Sequence, residues 1–402
     1  MSNPRSARAS ARRVVRLLGC ALATGLLASA CGGGGGGSSG SSGGDILIGV
    51  PAPLSGDYAS AGTDVVHGAE LAAKDINAKG GVIGRKLKIV SQDDACTAQT
   101  AAQAAQKLVA QKVVAATGGY CSTAALPEVQ AFHRVGVPYV MAGSTNPQLT
   151  EQGFAEAFRT IGRDDEQGPF VAKFVTGFLH AKRIAIGNDN TTYSKGLADS
   201  TAAALKKAGA QVVFDNALTP GQSDYSSFLT KVGQSKPDLF YYSGYFAEFG
   251  LLIKQAKRLG LSFPLMGGDA NNDTTLIKTA GKTAEGVYVD TAPLAQFLSS
   301  AKGYVDEYKK TYKSGPGPYS TYAYDGVGVI AAAIKKANSA DAKKITSALH
   351  SLGQYKGITG TFSFDKKGDR KPVNYIVVRV ENGQFTAYKK LDPNTQQWTN
   401  VS

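Results

Sequence analysis

Short apolar runs alternate along the chain with segments in which apolar residues recur every three or four positions. Residues 46–50 have the composition of a buried strand, and Val65, Ala69, Ala72 and Ile76 then follow at helical spacing. The alternation continues, with strands expected at 87–90, 113–116 and 137–141 and helices expected at 98–111 and 122–132. Parallel strands need such helical crossovers, so this order predicts a doubly wound parallel sheet.

A second series of the same kind begins near Asp164. Its expected elements are helices and strands in alternation: 170–179, 183–187, 196–208, 211–214, 225–232, 239–242, 246–259, 264–266 and 286–289. Helical segments follow at 304–312, 323–337 and 341–352, and antiparallel strands close the chain at 360–364, 375–380 and 385–389. A chain of 402 residues suits two domains, so the prediction is an α/β protein with two doubly wound parallel-sheet lobes.

Two loops of small and hydroxyl-bearing residues follow neighbouring predicted strands. The first spans residues 117–123 and includes Ser122; the second spans 142–146 and includes Ser144 and Thr145. Open α/β sheets hold ligands at strand ends of this kind, and the backbone N–H groups of a starting helix favour an anion. The alternative is that these residues only form turns and helix caps. Two such loops one strand apart favour a site for a small molecule with a carboxylate.

The N-terminal segment has the pattern of an export signal. Several arginines precede an apolar segment, 17–30, that is too short to span a bilayer as a mature helix. Residues 26–31, which end at Cys31, resemble the lipobox of bacterial lipoproteins. We therefore predict a signal peptide at 1–30, lipidation of Cys31, and a Gly/Ser tether at 31–44 with a reach of roughly 20 Å. The predicted location is the periplasm, anchored to the membrane.

Charge and cysteine usage narrow the function classes. The net charge of +13 includes five arginines of the leader, and the other basic residues form only scattered pairs, so no nucleic-acid partner is expected. Cys96 and Cys121 remain as an even pair in an oxidising compartment, which favours a disulfide over a catalytic thiol. The four histidines are scattered without ligand spacing, so neither a metal nor a cofactor is expected.

At residues 93–96 (Asp-Asp-Ala-Cys) and 118–122 (Gly-Gly-Tyr-Cys-Ser), the chain resembles the periplasmic branched-chain amino-acid-binding proteins of the leucine/isoleucine/valine-binding type. Further matches occur in order over most of the chain: 54–56, 75–81, 145–147, 167–169, 183–186, 193–198, 241–245, 284–286 and 368–369. So many ordered matches make the resemblance specific.

The resemblance implies the type I periplasmic-binding-protein fold, with three hinge crossings near Gly162, Ala292 and Asp369. One lobe would comprise 45–161 and 293–369, and the other 162–292 and 370–402. It also implies a Cys96–Cys121 disulfide beside the site, and closure of the lobes around the ligand.

The resemblance also implies a ligand set. Ser122 and Thr145, with Ser144 in the same loop, would hold the α-carboxylate of an amino acid. The carbonyl of Gly143 and the carboxylate of Asp269 would meet its ammonium, and Asp269 stands where the family has Glu. Tyr193 and Tyr245 match aromatic residues of the family's pocket.

Two positions near the pocket depart from the family pattern. The family's tryptophan after Leu-Ser-Gly falls on Ala61, and its aliphatic residue before the second cysteine falls on Tyr120, next to Cys121. Ala61, Tyr120 and Cys121 are expected to shape the pocket for the ligand's side chain. Because a large ring is lost at Ala61 and gained at Tyr120, aromatic, longer or polar ligands become plausible beside leucine-like ones.

The resulting expectation is a monomeric, lipid-anchored solute-binding protein that delivers a neutral, branched-chain-like L-amino acid to an inner-membrane ABC permease. The alternative within the same fold is a binding protein or sensory receptor for an aromatic or polar amino acid, a short amide or urea. An enzyme with Ser122 as nucleophile and His133 as base is disfavoured, because no Gly-x-Ser-x-Gly elbow or orienting acid accompanies the pair.

Overall fold

The computed structural model describes residues 44–401, and two large sheets organise them. The predicted signal peptide, Cys31 and the tether up to residue 43 lie outside the described residues. The first sheet has five parallel strands, and the second has eight strands, of which the last three in the chain are antiparallel. The fold class predicted from the sequence is therefore confirmed.

The first half of the chain alternates strands with helices and forms the first sheet. Its elements are β1 (Ile46–Ala52), α1 (Ala59–Ala78), β2 (Leu87–Asp93), α2 (Ala98–Ala110), β3 (Ala115–Gly118), α3 (Ser122–His133), β4 (Tyr139–Met141), α4 (Gln148–Glu151) and β5 (Ala157–Arg159). The strand order is β2-β1-β3-β4-β5. Strands β3 and β4 are buried throughout, because helices cover both faces of the sheet.

The middle of the chain repeats this alternation in the second sheet. Its elements are α5 (Asp164–Lys173), β6 (Arg183–Asn188), α6 (Thr192–Lys207), β7 (Gln211–Ala217), α7 (Ser226–Gln234), β8 (Leu239–Tyr242), α8 (Phe246–Arg258), β9 (Leu265–Gly267), α9 (Thr274–Ala280) and β10 (Tyr288–Thr291). A π-helical turn, Phe174–Phe178, extends α5. The helix starts at Asp164 rather than at 170, because three acidic residues in its first turn favour a helix N-terminus and outweigh the weak helix formers Gly168 and Pro169.

The last third of the chain first returns to the first lobe and then completes the second. Its elements are α10 (Lys302–Tyr312), α11 (Ser320–Ala337), α12 (Ala342–His350), β11 (Tyr355–Gly357), β12 (Gly360–Phe364), β13 (Arg370–Lys371), β14 (Ile376–Glu381), β15 (Gln384–Leu391) and β16 (Trp398–Asn400). Helix α11 packs on α1, whereas β14 pairs antiparallel with β10 of the second sheet. The second sheet thus has the order β16-β15-β14-β10-β9-β8-β6-β7.

Three connections join the lobes. The first runs between β5 and α5 through Gly162, and the second follows β10 at Ala292. Arg370 and Lys371 still pair with β12, so the third connection runs through 372–375, just beyond Asp369.

Candidate functional site

The two loops noted in the sequence lie side by side at the carboxyl ends of β3 and β4. These strands are parallel neighbours, with Gly118 opposite Met141. Gly118 and Gly119 turn the chain into α3 with φ of 115° and 72°, a conformation that L side chains rarely adopt. A Cβ on Gly143 would lie 2.8 Å from the carbonyl oxygen of Gly119, so the loops are in direct contact. The geometry brings Ser122 and residues 143–145 to one place.

The hydroxyl groups of these loops are buried. Ser122 starts α3, and its Oγ accepts a hydrogen bond of 3.2 Å from the backbone N–H of Asn146. Ser144 is fully buried and its Oγ has no hydrogen-bond partner in the described part of the chain. Thr145 is almost fully buried beside it. A buried hydroxyl without a partner is costly, so Ser144 is poised to donate to a bound anion.

Asp269 faces these loops from the second lobe. It lies in a 3₁₀ turn, Asp269–Asn271, that follows β9. The hydroxyl of Tyr193 donates to its Oδ1 at 2.7 Å, Gln167 Nε2 donates to the same oxygen at 3.0 Å, and the hydroxyl of Tyr319 donates to Oδ2 at 3.1 Å. Burial raises the pKa of Asp269, and the three hydrogen bonds oppose this rise. All three partners are neutral, so none of them balances a negative charge on the carboxylate.

Two further acids are buried near Asp269. Gln167 Nε2 also donates to Asp290 Oδ2 at 2.5 Å, and the hydroxyl of Tyr241 donates to Asp290 Oδ1 at 3.2 Å. Asp164, at the start of α5, is fully buried. Burial raises the pKa of both carboxyl groups, and the negative charge of Asp269 raises each further. Both shifts favour the neutral, protonated form of Asp164 and Asp290.

Aromatic rings form the wall between the acid and the loops. The ring of Tyr245 lies 4.7 Å from that of Tyr58, 5.6 Å from Tyr120 and 5.1 Å from Tyr193, measured between centroids. Tyr120 also meets Tyr319 edge to face at 5.2 Å. The hydroxyl of Tyr245 is buried and has no hydrogen-bond partner among residues 44–401. These rings form one buried aromatic cluster beside Asp269.

Ala61 is buried on α1 and lines a cavity that opens between the lobes. The cavity has a volume of about 900 Å³ and is bounded by α1, by residues 272–278 and by residues 314–318. It lies beside the cluster of Ser122, Ser144 and Asp269 and does not include them. The small side chain of Ala61 leaves room at this edge of the cleft, whereas Tyr120 occupies space within it.

Several hydrogen bonds cross between the lobes at the site. Asn146 Nδ2 donates to the carbonyl of Thr192 at 2.7 Å, and the backbone N–H of Thr192 donates to Thr123 Oγ1 at 3.2 Å. The hydroxyl of Tyr120 donates to the carbonyl of Ala270 at 3.4 Å. Together with the bond from Tyr319 to Asp269, these contacts hold the lobes closed over the site.

The predicted disulfide is present. Cys96 and Cys121 are bonded, with their Cα atoms 5.3 Å apart. The bond fixes the loop before α3 to the turn that follows β2. Cys121 is therefore not a free nucleophile, which removes the catalytic-thiol alternative.

The structure separates the pair considered for an enzyme. Ser122 and His133 are the first and last residues of α3, which places them about 16 Å apart along the helix. His133 Nδ1 bonds Glu156 Oε2 at 2.7 Å near the surface. This pair cannot act as nucleophile and base on one substrate. No group of three or more potential metal ligands occurs in the part of the chain that the structure covers.

Three residues of the site were missed by sequence reasoning: Tyr58, Gln167 and Tyr319. Gln167 lies in the matched segment 167–169 and could have been singled out there. Tyr319 comes from the segment that returns to the first lobe, and Asp64 fixes it by accepting hydrogen bonds from the backbone N–H groups of Tyr319 and Ser320. No local pattern indicates that contact.

Comparison with known proteins identifies the family. The family model described as periplasmic binding protein matches residues 45–384. An amino acid binding protein of Pseudomonas aeruginosa is 35% identical over 336 residues, which cover 83% of this chain and 89% of that protein. The leucine-specific-binding protein of Salmonella typhimurium is 33% identical over 333 residues, which cover 83% and 90%. The branched-chain amino acid transporter substrate-binding protein LivJ of Streptococcus pneumoniae, solved with isoleucine, has a TM-score of 0.79 at 30% identity, covering 85% of this chain and 98% of that chain.

Fold and site together define a solute-binding protein of the type I two-lobe class. The chain belongs to the periplasmic binding protein family, and the resemblance to the branched-chain amino-acid-binding proteins is confirmed. Within residues 44–401, no helix is both long enough and apolar enough to cross a membrane.

Proposed function

We propose that this protein captures a neutral, branched-chain-like L-amino acid between its lobes and delivers it to an ABC importer. The observation that carries the proposal is the position of Asp269. Its carboxylate is held by neutral donors from both lobes and faces loops rich in hydroxyl and N–H donors. The ammonium of an α-amino acid matches the carboxylate of Asp269, and its carboxylate matches the donors of the loops. The names of the relatives support leucine-like ligands and transport.

Each group of the ligand has a proposed partner. Ser122, Ser144 and Thr145, with the backbone N–H groups of their loops, receive the carboxylate because each can donate a hydrogen bond to it. The carbonyl of Gly143 and the carboxylate of Asp269 receive the ammonium. Tyr193 and Tyr245 flank the α-carbon, and Tyr120, Cys121 and Ala61 bound the side chain. Asp269 is one methylene shorter than glutamate, so a closer approach of the lobes or a bridging water completes its contact.

The proposed location is the periplasm, with the lipidated Cys31 holding the folded lobes near the permease. The export pattern of residues 1–31 supports this part of the proposal. The protein is proposed to act as a monomer, since each chain contains both lobes that form the cleft.

A second candidate is an aromatic or polar amino acid as ligand, for transport or sensing. Two observations favour it. The phenol of Tyr245 is buried without a partner, and Tyr120 adds a second phenol to the same wall. A ligand with a polar end would satisfy the hydroxyl of Tyr245, whereas leucine would not.

Isothermal titration calorimetry of the purified protein, stripped of ligand by unfolding and refolding, tests the proposal. The panel contains leucine, isoleucine, valine, alanine, phenylalanine and glutamine. Isopentylamine and 4-methylpentanoate are matched controls, because each resembles leucine without its carboxylate or its ammonium. Binding of leucine with weak or absent binding of both controls is expected. Absence of heat with every α-amino acid would show that the proposed function is wrong.

A further inference from the structure

The cavity beside Ala61 lies next to the ligand-binding groups assigned above, and both lobes line it. Helix α1 and residues 314–318 contribute from the first lobe, and residues 272–278 and 383–385 contribute from the second. Its volume is about 900 Å³. Pockets that hold small molecules in proteins measure roughly 300–1,000 Å³. The cavity is therefore large enough to receive part of a ligand.

Three chain segments run from the ligand site into the wall of this cavity. Each has one end at the site, where Tyr58 packs on the ring of Tyr245 and the hydroxyl of Tyr319 donates to Asp269. The other ends of the same segments line the cavity: residues 59–61, 272–274 and 317–318. Because neighbouring residues of the chain form both, the cavity adjoins the site.

The space beside Asp269 is filled by aromatic rings. Tyr120, Tyr193, Tyr245 and Tyr319 are each at most 3% exposed, and neighbouring rings of this set lie 5.1 to 5.6 Å apart between centroids. Ala61, at the border of the cavity, carries only a methyl group. A ligand side chain longer than that of leucine can therefore extend past Ala61 into the cavity.

The cavity wall includes a contact between the lobes. Ser60 Oγ, from the first lobe, donates to Asp273 Oδ2, from the second lobe, at 2.9 Å, and both residues line the cavity. This part of the wall thus forms only when the lobes meet. A ligand that extends into the cavity would contact both lobes and favour closure.

Asn272 adds a hydrogen-bond donor to the wall. The residue is 5% exposed and lines the cavity, and its Nδ2 has no hydrogen-bond partner in the described part of the chain. A buried donor without an acceptor is costly, so a carbonyl oxygen on the ligand would remove a penalty. Ile277, Leu294 and Pro316 also line the cavity and suit the methylene groups that precede such a carbonyl.

We propose that the ligand site extends past Ala61 into this cavity, and that the protein binds α-amino acids whose long side chain ends in a carbonyl group. This inference rests on the proposed function, because the α-carboxylate and the ammonium bind as described there. The loops and Asp269 hold the α-carbon, and the cavity selects the length and the polar end of the side chain.

Nε-acetyl-L-lysine is the probe, because its side chain is longer than that of leucine and ends in an acetamide. Calorimetry of the purified protein should give a Kd at least about fivefold lower than that for L-2-aminooctanoate, an apolar amino acid of similar length. Asn272→Leu removes the donor and keeps a similar volume. This variant should bind the two ligands with equal Kd values to within about twofold.

Ala61→Phe should obstruct the passage into the cavity. The Kd for Nε-acetyl-L-lysine should rise at least about tenfold, because the ring occupies the space that the long side chain needs. The Kd for L-alanine, which is too short to reach Ala61, should change by less than about threefold, and its binding shows that the variant is folded. Thr63→Trp narrows the cavity from an exposed position on α1 and should give the same result if Ala61→Phe does not fold.

The outcomes separate this inference from the proposed function. If the protein binds leucine but binds Nε-acetyl-L-lysine at least about tenfold more weakly, the extended site is wrong and the proposed function stands. An equal effect of the obstructing substitution on Nε-acetyl-L-lysine and L-alanine would also overturn the inference. If no α-amino acid binds, the proposed function is wrong, and the inference fails with it.

Discussion

Arg159 and Asp369 form an ion pair of 2.6 Å whose side chains are 0% and 1% exposed. Arg159 ends β5, just before the first connection between the lobes, and Asp369 lies just before the third. Asp369 also forms an ion pair of 2.6 Å with Arg163, a residue of the first connection itself. The pair therefore ties two of the three connections together on the side of the first lobe.

Asp369→Asn should lower the free energy of unfolding by about 3–5 kcal/mol, because it leaves the buried Arg159 without its counter-charge. Urea unfolding monitored by circular dichroism measures this change. Asp199→Asn is the matched control, since Asp199 pairs with Lys195 on an exposed helix face and should change stability by at most about 0.5 kcal/mol. Equal effects of the two substitutions would contradict the role given to the buried pair.

Asp269→Asn should raise the Kd for the amino acid at least about 100-fold, because a buried charged partner of the ammonium is lost while the side-chain volume is kept. Calorimetry measures it. Asp290→Asn should change the Kd by less than about threefold, since Asp290 accepts hydrogen bonds only from Gln167 and Tyr241 of its own lobe. A larger effect of Asp290→Asn would show that the ammonium binds at Asp290 instead.

The affinity of the wild type should fall as the pH decreases toward the raised pKa of Asp269. Burial raises this pKa above its ordinary value of 3.8, and only the ionised carboxylate attracts the ammonium. Titrations between pH 4 and 6.5 should show a loss of affinity that Asp269→Asn lacks.

Gly196→Ala should prevent full closure of the lobes. Gly196 lies on α6 of the second lobe, and a Cβ there would collide with Nδ2 of Asn146 from the first lobe. The Kd should rise at least about tenfold, because closure no longer contributes fully to binding. The melting temperature without ligand should not fall, because alanine is a better helix former than glycine. Gly303→Ala on α10, where no atom lies within 4 Å of the new methyl group, is the control. Unchanged affinity in Gly196→Ala would contradict binding by closure.

Tyr120→Leu should favour larger aliphatic side chains, because it removes a ring that fills the pocket beside Tyr245 and Tyr319. The ratio of the Kd for leucine to that for alanine should fall by about fivefold or more. Tyr120→Phe keeps the ring and loses only the 3.4 Å bond to Ala270, so this ratio should stay constant. Calorimetry with both amino acids decides whether Tyr120 sets the size of the ligand.

Replacing both Cys96 and Cys121 by serine should lower the free energy of unfolding by about 3 kcal/mol, because the disulfide closes a loop with a sequence separation of 25. Chemical unfolding of the double variant measures it, with dithiothreitol-treated wild type as the comparison. Stability that does not respond to either treatment would show that hydrogen bonds such as that from the backbone N–H of Cys96 to Asp94 already fix the same turn.

The sequence allowed prediction of the features that depend on local pattern. Apolar periodicity placed most strands and helices, because buried strands and amphipathic helices repeat with different periods. The elements that were not predicted are short, or their composition hides the helical pattern. Strand β5 has only three residues, and the start of α5 is followed by Gly168 and Pro169. The loops with Ser122 and Thr145 were identified because both follow strands.

The rest of the site depends on tertiary contacts. Tyr319 bonds Asp269 from a segment 50 positions away, and Tyr120 bonds the carbonyl of Ala270 from 150 positions away. Such contacts require the relative position of elements to about an ångström, which no residue spacing encodes. The disulfide was predicted correctly because few cysteines were available to pair.

The neutral partners of Asp269 affect how readily the lobes close without a ligand. When the lobes close without a ligand, they bury a carboxylate whose bonds come only from two phenols and an amide, and burial of such a charge is unfavourable. A ligand with an ammonium removes that penalty. Under the proposed function, closure is therefore more favourable with an amino acid bound, and the importer meets fewer closed carriers that are empty.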